Sequence, residues 1–108
     1  MSRRAKKCYH HLKVLASSKP HQVKAILKTA DDSLIHTVCE CIYNLLNSNL
    51  PISHRKKKKL NSHKKQLIKL ATKGVALKQK RNILVQKGGS FLPFLLPAAI
   101  TVLEHFLK

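Results

Sequence analysis

Residues 32–46, with the sequence DSLIHTVCECIYNLL, decide the fold of this chain of 108 residues. Their apolar side chains recur every three or four positions, which places them on one face of an α-helix. Asp31 or Asp32 is a natural N-cap, because a carboxylate accepts the free backbone N–H groups at the positive end of a helix. The helix is predicted to end at Asn47 and to form the centre of the core.

Weaker apolar patterns on both sides of this helix predict further helices. Residues 9–16 form a short one, and Pro20 begins the next, since its missing N–H costs nothing at a first helical position. Downstream, Ser53 can cap a lysine-rich helix that the pair Asn61-Ser62 divides in two. The sequence contains no strand pattern with hairpin turns.

Glycines are predicted to mark two boundaries. Gly74 is expected to end the lysine-rich helix in the left-handed conformation, and another basic helix follows it. At Gly88-Gly89 the composition changes, because residues 90–103 carry no charge. The prediction is an all-α protein, a small bundle of about four to five short helices with a basic N-terminal arm and an apolar C-terminal helix. Its parts are a basic arm (1–7), a basic helical domain (8–87), and a Gly-Gly hinge with an apolar tail (88–108).

The charge of the chain is strongly positive and unevenly placed. Lysine and arginine total 22 against four acidic residues, for a formal net charge of +18, and no acid occurs from Cys41 to Leu103. Such self-repulsion favours a polyanionic partner. Lysine is a point charge suited to phosphate oxygens and does not distinguish bases, so nucleic acid bound without sequence preference is expected. The predicted DNA-binding residues are Arg55, Lys56, Lys57, Lys58, Lys59, Lys64, Lys65, Lys69, Lys73, Lys78, Lys80 and Arg81.

The apolar tail is the second functional signal. Residues 91–103 would span about 20 Å as a helix, which is short of the ~20 residues needed to cross a bilayer. Three interpretations stay open: the tail packs on the helical domain, self-associates or docks on a partner, or inserts into a membrane interface. The residues predicted for assembly or membrane contact are Phe91, Leu92, Phe94, Leu95 and Leu96.

Catalytic and metal chemistry find little support in the sequence. Asp31 and Asp32 are explained as a helix cap, and the sequence offers no glycine-rich phosphate loop or nucleophile–base arrangement. Cys39 and Cys41 lie two residues apart on a helix and point in different directions, so they cannot bind one ion without breaking it. We expect no enzyme activity, no cofactor and no metal. The odd count of three cysteines fits a reducing compartment.

A helix-turn-helix is an alternative interpretation of the middle of the chain. The helix from Asp32 to Leu46, a turn at 47–51 and a basic helix from Ser53 have the spacing that places a second helix in a major groove. Any basic protein of three helices offers this spacing. The alternative predicts a transcription regulator with a sequence preference.

The end of the chain resembles the precursor of the adenovirus core protein X, also called mu. In that family a Lys/Arg-rich peptide precedes a segment of the type Gly-Gly-(Ile/Phe)-Leu-Pro-Leu-Leu-x-Pro-Leu. The matching residues here, with Ser90 inserted, are Gly88, Gly89, Phe91, Leu92, Pro93, Phe94, Leu95, Leu96 and Pro97.

A larger part of the chain resembles proteins of adintoviruses and Polinton-like elements of animal genomes. These carry segments similar to residues 39–47 and 49–53, then lysine-rich helices, then a segment similar to residues 85–89. The resemblance implies a virion core or minor structural protein that condenses double-stranded DNA, located in the virion and the host nucleus. In this leading hypothesis the tail mediates self-association or contacts capsid protein. The alternative is a membrane-active or capsid-docking minor virion protein, with lysines on acidic lipid.

Overall fold

Six helices form the part of the chain that the structure describes, and no strand occurs there. The computed structural model describes residues 3–47 and 54–107, with the backbone alone at positions 3–6, 56, 102, 103 and 105–107. The all-α prediction is confirmed, with one or two more helices than the about four to five expected. The helices are α1 (Arg3–Ser17), α2 (Pro20–Thr29), α3 (Asp32–Leu46), α4 (His54–Ser62), α5 (Lys64–Ala71) and α6 (Leu77–Leu107).

Several helix ends lie where the sequence predicts them. Pro20 is the first residue of α2. Asp31 caps α3, because its Oδ1 accepts the backbone N–H of Leu34 at 2.9 Å. Asn47 is the C-cap of α3, and His63 separates α4 from α5 close to the predicted break. Local capping chemistry therefore fixes the ends of the helices that surround the core.

Two predicted boundaries differ from the structure. Residues 3–7 belong to α1 rather than to a separate arm, since lysine and arginine are good helix formers. Gly74 is not left-handed, because no described glycine has a positive φ. Helix α5 ends earlier, where Thr72 donates its Oγ1 hydroxyl to the carbonyl of Ile68 at 2.7 Å. Residues 1 and 2, the predicted cap at Ser53 and the predicted turn after Asn47 lie outside the described residues.

Helix α6 shows the largest difference from the prediction. It runs without interruption through Gly88-Gly89 and contains both Pro93 and Pro97. The glycines are a point of close helix packing instead of a hinge. A Cβ on Gly89 would lie 3.1 Å from the carbonyl oxygen and 3.2 Å from the Cα of Pro20, so glycine lets the backbones of α6 and α2 approach.

The core forms around α6, against which α1, α2 and α3 all pack. The apolar half of α6 (residues 88–107) takes part in this core, and α3 supplies the largest group of buried residues on the other side. Burying each large apolar side chain stabilises the fold by about 1.5–3 kcal/mol. Together these side chains offset the cost of the two interior prolines, which is about 3 kcal/mol each. The buried residues of this half are Phe91, Leu92, Leu95, Leu96, Ala99 and Ile100.

The dimensions of the chain agree with a packed C-terminal helix. The radius of gyration of the Cα atoms is 12.6 Å, close to the ~13 Å expected of a folded chain of this length. Among the described residues, one helix is long and apolar enough to cross a membrane, over Leu77–Thr101 of α6. In the fold, 44% of its most apolar window is buried.

Candidate nucleic-acid interface

The lysine-rich segment (residues 54–81) carries all twelve predicted DNA-binding cations. Lys80 and Arg81 are half-buried, and Lys56 is described by its backbone alone. No acidic residue lies within the segment, so its charges are not neutralised by neighbours along the chain. The exposed cations are Arg55, Lys57, Lys58, Lys59, Lys64, Lys65, Lys69, Lys73 and Lys78.

Helix α4 is attached to the fold mainly through its C-terminal end. Its most extensive contacts are with α6. The ammonium of Lys59 lies 5.2 Å from the centre of the Phe94 ring, and Leu60 is half-buried against the core. Just after α4, the rings of His63 and Phe91 lie 5.4 Å apart. Arg55, Lys57 and Lys58 of α4 are exposed to water, where a polyanion can reach them.

Arg81 is held within the fold. Its guanidinium donates to the carbonyls of Leu27, at 3.1 Å, and Ala30 at the end of α2, and to Oδ1 of Asp32 at 2.8 Å at the start of α3. The side chain is 24% exposed. These donors satisfy carbonyls that the end of α2 leaves without helical partners. Arg81 was predicted to contact DNA. Because three hydrogen bonds hold its guanidinium inside the chain, we leave it out of the proposed interface.

Three of the four acidic residues have partners other than lysine. Asp31 caps α3, and Asp32 pairs with Arg81. Glu104 accepts a hydrogen bond from the hydroxyl of Tyr9, and this bond is the main reason that the pKa of Tyr9 is raised. The last two contacts join α3 to α6 and α1 to α6. They leave the exposed cations of α4 and α5 as a continuous excess of positive charge along the chain.

Tyr43 is a residue that the sequence reasoning missed. Its side chain is 48% exposed, and it lines a cavity of about 270 Å³ together with Glu40, Lys73 and Lys80. The aromatic residues stand apart from the basic runs along the sequence, yet the packing of α3 against α5 brings this ring beside two lysines. The available signal was its position on α3, outside the apolar stripe.

The tail residues predicted for assembly or membrane contact are placed in or near the core. Phe94 is half-buried. Because the other four have at most 1% of their surface exposed, they cannot touch a partner or a membrane unless α6 leaves the core. The packing of the tail on the helical domain, one of the three interpretations, is what the structure shows. The buried four are Phe91, Leu92, Leu95 and Leu96.

The cysteines fill space in the core. Cys8, Cys39 and Cys41 are all buried as free thiols. Burial raises the pKa of Cys39 to about 11, against an opposing effect of Lys80, and that of Cys41 to about 12. Both thiols are therefore protonated and unreactive at neutral pH, since the thiolate is the reactive form. Among the described residues, no group of three His, Cys, Asp or Glu side chains is placed to hold a metal ion.

The described residues do not form a packed α3–α4 pair. Helix α4 packs chiefly on α6, while α3 packs on α1, α5 and α6. A helix-turn-helix requires its two helices to pack together so that the first supports the second in the groove. This arrangement gives the helix-turn-helix alternative little support.

No protein-family model, no curated protein and no solved structure matches the chain. The functional interpretation rests on the charge and geometry described above.

Proposed function

We propose that this protein binds double-stranded DNA without sequence preference and condenses it. The observation that carries the proposal is the row of exposed cations over residues 54–81 with no acid among them. The net charge of +18 matches the phosphates of roughly nine base pairs, since duplex DNA carries one charge per ~1.7 Å. Each bound chain would therefore remove a large share of the phosphate repulsion that keeps DNA extended.

The kind of cation supports binding to the backbone rather than to bases. Of the nine exposed cations, eight are lysines and Arg55 is the one arginine. Specific guanine contacts are most often made by the arginine fork, whereas lysine binds phosphate as a point charge. We therefore propose one mode of binding for all sequences. On the resemblance described above, we place this activity in a virion core or minor structural protein.

The test compares two triple variants that remove the same charge. The first is Arg55→Gln, Lys57→Gln and Lys58→Gln on α4. The control is Lys7→Gln, Lys24→Gln and Lys28→Gln, which removes exposed lysines of α1 and α2. The affinity of each full chain for one duplex is measured over a range of salt concentrations.

We expect the α4 variant to lose more affinity than the control at every salt concentration. Three lost phosphate contacts would reduce the slope of log affinity against log salt by about 2.7, at ~0.9 per contact. If both variants lose the same affinity and slope, net charge alone governs binding and the lysine-rich segment is not the interface.

The membrane-active alternative has one observation in its favour, the length and hydropathy of Leu77–Thr101. Because this helix is packed in the core, insertion requires unfolding of the bundle. Leakage of dye from anionic liposomes tests it. Leakage that rises when the bundle is destabilised supports the alternative, and the absence of leakage at any protein concentration removes it.

A further inference from the structure

An open groove runs between α5 and α6, and its chemistry differs from the rest of the lysine-rich segment. Its volume is about 500 Å³. Ile68 and Ile83 provide apolar surface in the groove, while Lys65 and Lys69 from α5 and Lys87 from α6 supply the charge. Ile68 is 49% exposed, the most exposed large apolar side chain among the described residues. The groove thus combines aliphatic surface with three cations and no acid.

DNA uses only part of this chemistry. Phosphate oxygens can pair with Lys65 and Lys69, but the exposed surface of Ile68 gains nothing from a phosphate, since apolar surface is stabilised by apolar contact. A second copy of the chain does not fit either. Its four acids, Asp31, Asp32, Glu40 and Glu104, form no acidic stripe, and two chains at +18 repel each other.

We propose that this groove binds an acidic amphipathic helix of a partner protein. Two helices that lie side by side form a groove in which a third helix can pack. Such a helix buries its apolar side chains along one stripe. Leucine-type residues of the partner would pack on Ile68 and Ile83. Its Asp or Glu residues would pair with the lysines at the rim, an arrangement in which charge complementarity sets orientation and association rate. This inference goes beyond DNA binding and stands independently of it.

The test uses a synthetic peptide of about 18 residues, long enough to form a helix on binding. Leucine repeats at every third and fourth position, and glutamate and alanine fill the rest. A scrambled peptide of the same composition is the first control. Binding is followed by fluorescence anisotropy for the full chain and for Ile68→Ser, Ile68→Leu and Val14→Ser. Val14 is a matched control, because it is also an exposed apolar residue, at 42%, but lies on α1.

We expect the patterned peptide to bind at least about tenfold more tightly than the scrambled one, because only the patterned helix presents one apolar stripe. Ile68→Ser should lose about tenfold of that affinity, while Ile68→Leu and Val14→Ser keep it. Circular dichroism melts of each variant verify that the bundle is folded. Duplex affinity of Ile68→Ser should equal that of the unchanged chain, so a failure of DNA binding is seen separately.

Two results would overturn the proposal. If Ile68→Ser binds the patterned peptide as tightly as the unchanged chain does, charge alone holds the peptide and the groove is not its site. If anionic phospholipid vesicles bind in a manner that depends on Ile68 and the peptide does not bind, the surface belongs to a lipid. In either case duplex binding reports on the proposed function by itself.

Discussion

The lysine-rich helices α4 and α5 lie next to the apolar half of α6, but the two regions differ in burial and in role. The cations of α4 and α5 whose side chains the structure describes are exposed, and α4 is joined to the fold chiefly through α6. The apolar half of α6, by contrast, is buried by three other helices. The sequence marks both regions as candidates for binding. The structure uses the apolar one for the fold and leaves the charged one free.

In the sequence, the apolar run and the lysine run are equally strong candidates for a binding surface. Burial in the fold distinguishes the two. An apolar run without charge is consistent with a core helix, an assembly segment or a membrane segment. The elements that the run packs against decide among these, and for α6 those elements are α1, α2 and α3. A run of lysines has no such internal partner, because burying unpaired charge is costly. The following predictions separate residues that stabilise the fold from residues that bind.

Phe91→Ala should have the largest effect on stability. The ring is fully buried, and removing a buried phenylalanine lowers the free energy of unfolding by about 3–5 kcal/mol. Phe94→Ala is the control and should cost less, because that ring is only half-buried. Urea unfolding followed by circular dichroism measures both. A loss below about 1 kcal/mol for Phe91→Ala would mean that the apolar half of α6 is not part of the core.

Arg81→Lys should lower the free energy of unfolding by about 1–2 kcal/mol, because lysine keeps the charge but cannot make the forked contacts to α2 and Asp32. The matched control is Arg55→Lys on the exposed part of α4, with an expected change within about 0.5 kcal/mol. Both variants should keep their affinity for duplex DNA. Equal stability of the two variants would contradict the structural role of Arg81.

Gly89→Ala should destabilise the protein by about 1 kcal/mol, although alanine favours a helix, because the new Cβ meets the backbone of Pro20. At Gly88 the nearest atoms are the movable side-chain ends of Leu27 and Leu92, so Gly88→Ala should be neutral or stabilising. Thermal melts compare the two. If the pair were a hinge outside the core, both substitutions would have the same small effect.

The smallest change in stability is expected for the α4 triple variant, Arg55→Gln, Lys57→Gln and Lys58→Gln. These side chains are exposed, and exposed charges contribute little to folding, so the free energy of unfolding should change by about 0.5 kcal/mol or less. Urea unfolding measures it. A loss of 2 kcal/mol or more, roughly the scale of a buried contact, would show that α4 stabilises the bundle.

Helix α3 and its neighbours could be predicted from the sequence because their signals are local. Each of these signals acts on a few neighbouring residues: the Asp31 cap, the apolar period of α3, and Pro20 at the start of α2. Helix α6 could not be predicted as one element. Taken alone, glycine and proline favour turns. Glycine is needed at position 89 because α6 approaches Pro20 closely, and these two residues are far apart in the sequence.

The charge of the candidate site could be predicted from the sequence, whereas its tertiary contacts could not. The exposed lysines follow from a run without acids. The role of Arg81 depends on carbonyls about 50 residues away, and the groove with Ile68 exists only because α5 and α6 lie side by side. Such features come from tertiary packing, which composition and periodicity do not specify.

The central claim is tested most directly by the salt dependence of binding to two unrelated duplexes of about 20 base pairs. The account predicts that log affinity falls linearly with log salt, with a slope steeper than about −5, and that the two affinities agree within about tenfold. A flat salt dependence, or a preference of more than about 10³ for one duplex, would contradict it.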